Sequence, residues 1–118
     1  MEMVLKGLIA LIAFEHAYFL ILEMFLWQKP LGLRTFKNTP AQAKASAVLA
    51  ANQGLYNGFL AAGLLWGLLA EPALAHPLRL FFLGCVLIAG LYGAYSVSRR
   101  IFFIQALPAL IALVLLLA

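Results

Sequence analysis

The chain has 118 residues, of which 66% are hydrophobic and 10% charged. A water-soluble domain carries about 45–50% apolar residues, so an ordinary soluble fold is excluded, and the length leaves no room for a soluble domain beside a membrane part. The formal charge of +4 lies on residues flanking apolar runs; this points to bilayer orientation and anionic headgroups, not to nucleic acid.

The first predicted element is an apolar helix over about residues 3–27. A signal peptide's apolar region is about 7–15 residues long and ends in a small-residue cleavage site. Here the run passes through Glu15 and His16 and continues to Trp27, which reads as a retained helix. Lys29-Pro30-Leu31-Gly32 ends it, because proline lacks an amide donor and glycine relaxes the backbone. Thr39-Pro40-Ala41-Gln42 then reads as a helix start: Thr39 caps, Pro40 suits the first turn, and Gln42 completes a capping box. The second helix runs over about residues 40–70 and enters the bilayer a turn or two after its start. Glu71-Pro72 closes it, and His76-Pro77 opens a third helix over about 77–98. Arg99-Arg100 makes a tight turn into a fourth, 101–118, short for a full span. The lone Cys85 lies in an apolar run and forms no intrachain disulfide.

Basic residues set an orientation. Lys29, Arg34, Lys37 and Lys44 lie between the first two spans, and Arg99 and Arg100 between the last two; the other side has Lys6 and Arg79. This bias places the first and third connections in the cytoplasm and both termini outside a bacterial inner membrane. Gly54/Gly58 and Gly63/Gly67 have the G-x-x-x-G spacing that lets helices approach closely. The expectation is an all-α integral membrane four-helix bundle, one domain over residues 1–118, in contact with lipid and assembled as a homodimer or homotrimer.

Few positions inside the spans are polar. The first helix holds Glu15, His16 and Glu23, the second Asn52, Gln53, Tyr56 and Asn57. The third holds Tyr92, Tyr95 and Ser96, and the fourth Gln105. A charged carboxylate at the centre of a membrane helix costs roughly 2.5–3.5 kcal/mol on insertion scales, so such groups pair, take up a proton or line a cavity. At 100° per residue His16 and Glu23 share one face about two turns apart, continued by Trp27. A partner must come from across the bundle; depth along the helices sets Asn57 against His16, and Asn52 or Gln53 against Glu23. The predicted site is a polar pocket open to the cytoplasm, lined by Glu15, His16, Glu23, Asn52, Gln53, Tyr56, Asn57, Tyr92 and Gln105. The plainer reading makes these residues interhelical hydrogen-bonding groups, and Trp27 an interfacial anchor.

The strings Glu15-His16-x-Tyr18, Leu22-Glu23-Met24-Phe25-x-Trp27, Leu49-Ala50-Ala51-Asn52-Gln53-Gly54-Leu55-Tyr56-Asn57-Gly58-Phe59, Phe82-Leu83-Gly84-Cys85 and Gln105-x-x-Pro108-Ala109 span nearly the whole chain. They resemble the bacterial membrane family known as domain of unknown function thirteen-zero-four, which implies a four-helix inner-membrane protein and no established activity. Arg34-Thr35-Phe36-Lys37-Asn38-Thr39-Pro40 and Asn52 echo the layout of the membrane-associated eicosanoid and glutathione metabolism superfamily. Ala50, Ala51, Gly54 and Leu55 stand where that superfamily surrounds its Asn with charged residues. Small multidrug transporters are similar in size and in a membrane Glu such as Glu15, and differ in charge bias.

No nucleophile–base pair, phosphate loop or metal-ligand spacing is present, and the pattern leaves the cofactor open, with His16 readable as a structural group, a proton carrier or a metal or haem ligand. Three functions are compatible with the pattern. The pocket can bind or move a small molecule or a proton; a membrane-embedded enzyme can use Arg99 or Arg100 to hold an anionic co-substrate; or the chain can be a structural or accessory subunit.

Overall fold

The computed structural model describes residues 1–118. The fold is all-α: α1 spans Glu2–Met24, α2 Pro30–Phe36, α3 Pro40–Leu69 and α4 Pro72–Ser96, and a π-helical turn, Phe102–Ala106, leads into α5, Leu107–Leu117. Helices α1 and α4 are long and apolar enough to cross a membrane.

Helix α1 ends at Met24, short of the expected residue 27, and three further differences from the sequence expectation fall at prolines. Pro30 does not merely end the first helix; it occupies the first turn of the extra helix α2, where a missing N–H costs nothing. Pro72 rather than Pro77 starts α4, and Pro77 lies inside the helix. Pro108 follows the π-helical turn, in which the Leu107 N–H donates to the Phe102 carbonyl, five residues back. Pro108 has no N–H for the Ile104 carbonyl, and the wider turn accommodates that loss.

The chain forms two compact units, residues 1–14 with 60–118, and residues 15–59. In the first, the core is built from Leu5, Ile9, Ile12 and Ala13 of α1, Leu64 of α3, Leu83 and Val86 of α4, and Ala109 and Ala112 of α5. The α1 residues recur at i, i+4, i+7 and i+8, one helical face. Ala106, Ala109 and Ala112 are fully buried, and their small side chains bring α5 close to α4. The contact is tightest at Gly90: a Cβ there would lie 2.5 Å from the Ala106 backbone nitrogen. Gly90→Ala must push two helix backbones apart and is expected to cost about 1–3 kcal/mol. Thermal unfolding in detergent checks this against Gly84→Ala, whose added methyl meets nothing within 4 Å.

In the second unit, α3 starts as its sequence requires. The Gln42 N–H donates to Thr39 Oγ1 at 3.1 Å, and the Thr39 N–H donates to Gln42 Oε1 at 2.9 Å, so two orphan donors are satisfied reciprocally. Lys37 ends α2 in the left-handed region at φ 57°, with its N–H on the Leu33 carbonyl. The buried residues are His16, Leu22, Gly32, Ala43, Ala50, Gly54 and Asn57.

Candidate functional site

Helix α3 offers small residues where α1 approaches it. A Cβ on Gly54 would press on Met24 and Glu23, and one on Gly58 on Leu20. The Gly54/Gly58 face is therefore filled within the chain. So is the Gly63/Gly67 face, which meets Phe82 and Arg79. The first of these contacts sets the register of the polar residues. Gly54 and Gly58 sit against Leu20–Met24, so the residue that comes level with Glu23 is Asn57. Its Nδ2 donates to Glu23 Oε1 at 2.5 Å. The sequence expectation paired Asn57 with His16 and Asn52 or Gln53 with Glu23; the observed alignment differs by about a turn of α3.

Glu23 also lines a cavity of about 360 Å³ together with Trp27, Gln28, Lys29 and Ala47. Trp27 is fixed on two sides. Its Nε1 donates to Ser46 Oγ at 3.1 Å, and its ring lies 4.7 Å from that of Phe36. The Ser46 hydroxyl in turn donates to the Gln42 carbonyl at 2.8 Å. Trp27 is thus a wall of the cavity tied to α2 and α3, a role its sequence position does not reveal.

The other expected site residues are dispersed. His16 is fully buried, with its ring edge-on to Phe19 at 5.3 Å. Glu15 is half-buried, and its Oε1 is enclosed without a hydrogen-bond partner. Asn52, Gln53 and Tyr56 are exposed on α3, and the Tyr56 ring lies 6.0 Å from Phe59. Tyr92 and Tyr95 are exposed on α4, where Ser96 Oγ donates to the Tyr92 carbonyl. Gln105 is half-buried in the π-helical turn, and Arg99 and Arg100 are exposed.

One polar cluster escaped the sequence reading. Arg79, buried in α4, donates from Nε to the Gly67 carbonyl at 2.9 Å and from Nη1 to Glu2 at 2.8 Å. Gly67 lies in the last turn of α3, whose carbonyls have no partner within the helix. The available signal was a single arginine in an otherwise apolar run, a functional or structural marker in such a segment.

No solved structure matches the chain. It is 31% identical over 106 residues, 88% of each chain, to the uncharacterized protein YpaA of Lactococcus lactis. Residues 10–117 match the family model described as protein of unknown function DUF1304. With nearly its whole length inside that match, the chain belongs to the DUF1304 family.

Proposed function

We propose that this chain is a multi-pass protein of the bacterial cytoplasmic membrane, and that the cavity at Glu23 binds a small molecule or a proton from the cytoplasm and passes it toward the membrane interior. Membrane residence is supported by the apolar stretches of α1 and α4, of which only 28% is buried within the chain. Side chains such as Phe14, Phe81, Ile88 and Phe103 stand well exposed, and a surface of that kind needs lipid or another subunit against it. The six-to-two distribution of basic residues supports a cytoplasmic α1–α3 connection and α4–α5 turn.

The observation that carries the functional reading is the Glu23 carboxyl on the cavity wall, held by a buried Asn57 amide. A carboxyl so placed can exchange a proton or hold a cationic group, and the amide fixes its orientation. Glu15 has an enclosed oxygen without a partner and supplies a second carboxyl on α1, eight positions earlier in the chain. Its proposed role is to receive what Glu23 releases.

Glu23→Gln keeps the shape and the acceptor oxygen for Asn57 and removes ionisation. In proteoliposomes under an imposed pH gradient, the wild type is expected to dissipate the gradient and the variant to lose at least about a hundredfold in rate, the lower end of the range for a lost proton-transferring group. Equal rates in the two proteins, with both folded, would sink the proposal.

A further inference from the structure

A second cavity, of about 420 Å³, is lined by Glu2, Lys6, His76 and Arg79 and by apolar residues including Leu68 and Leu116. It lies in the unit formed by residues 1–14 and 60–118 and is independent of the Glu23 site. Arg79 is the anchor, with a side chain only 8% exposed. A guanidinium carries five N–H donors in a rigid fork. Two of these are used, Nε on the Gly67 carbonyl and Nη1 on Glu2, so Nη2 keeps donors to offer. Glu2 is 59% exposed and makes a single contact with Arg79; among the side chains on the wall it is the one acid, beside the two formal cations Lys6 and Arg79. His76 lies one turn before Arg79 on α4 and adds a further nitrogen donor.

A plain ion pair explains Arg79 and Glu2. It does not explain a cavity of this size with Lys6 and His76 on its wall beside leucines. We propose that this cavity binds an anionic phosphate group, held by Arg79, Lys6 and His76. Arginine and lysine are the side chains suited to phosphate oxygens. The leucines on the wall suit an acyl chain, so the phosphate belongs to a phospholipid headgroup or, failing that, is free in solution.

The test uses the full chain purified in mild detergent. Native mass spectrometry compares retention of dioleoyl phosphatidylglycerol and dioleoyl phosphatidylcholine, with and without inorganic phosphate as competitor. The wild type is expected to retain phosphatidylglycerol at least about fivefold better, the preference expected of one basic side chain near a membrane surface. The double variant Lys6→Gln, His76→Gln changes two exposed residues and should abolish the preference while leaving the unfolding temperature unchanged. Persistence of the lipid against millimolar phosphate assigns the site to a headgroup. Displacement by phosphate, or phosphate binding without lipid retention, assigns it to the free anion. Equal retention of the two lipids, a preference undiminished in the double variant, or no binding of either lipid or phosphate would overturn the proposal.

Discussion

Gly32→Ala is expected to abolish the fold of residues 15–59. The chain leaves α1 at Met24 and re-enters helix at Pro30, with the turn held by the Leu26 N–H on the Ile21 carbonyl at 3.1 Å and the Lys29 N–H on the Leu26 carbonyl at 3.0 Å. Gly32 then packs directly on the backbone of that turn. A Cβ would overlap the Leu26 carbonyl oxygen and lie 2.8 Å from its carbon and 2.9 Å from the Trp27 oxygen. These are backbone atoms that cannot rotate away, so the cost should reach or exceed the upper end of the usual overpacking penalty, about 3 kcal/mol. The Trp27–Ser46 bond and the Glu23 cavity depend on the same turn and should go with it. Thermal unfolding and the yield of monodisperse protein report the loss. Gly7→Ala, where a methyl meets nothing within 4 Å, should behave as wild type, and a stable Gly32→Ala would show that the turn is not packed in this way.

The second large effect concerns Glu23 and Asn57. Asn57→Leu deletes the amide and leaves the carboxyl without its donor; Glu23→Leu leaves a buried amide without its acceptor. Each is expected to destabilise by about 1–3 kcal/mol, the cost of an unsatisfied buried polar group. Combining them replaces both polar groups with apolar ones, and the double variant should be close to wild type in stability. With the double variant near wild type, the coupling energy from the cycle should approach the sum of the two single effects, about 2–6 kcal/mol. Strict additivity of the single effects would mean that the two groups do not interact. The double variant should also have no function, which separates folding from activity at one site.

These two sites show what the sequence makes legible. The all-α class followed from composition, and the start of α3 from Thr39, Pro40 and Gln42, because a capping box is local chemistry. The extra helix α2 did not, because Pro30 serves equally as a breaker and as a first-turn residue, and only the packing of Gly32 on Leu26 decides between them. Glu23 and Asn57 stood out as polar residues in apolar runs. Their pairing did not, because register between helices is set by where side chains are absent: Gly54 and Gly58 choose the height at which α1 crosses α3. The tether between Trp27 and Ser46, and the Arg79 clamp on Gly67, link residues distant in sequence and leave no periodic trace.

The length of the last helical segment has a consequence for the host bilayer. Phe102–Leu117 is 16 residues, about 24 Å at 1.5 Å per residue, whereas the 25 residues of α4 reach about 37 Å. A hydrocarbon core is about 30 Å thick. Under the membrane placement proposed above, one neighbour in the same unit is too short for that core and the other too long. Hydrophobic mismatch of this kind is relieved by local thinning of lipid at the short helix and by inclination of the long one, at a fraction of a kcal/mol per Å. Lipid acyl-chain length thereby becomes a variable that acts on the α4–α5 contact at Gly90 and Ala106, with shorter chains relieving the short helix and demanding more inclination of the long one.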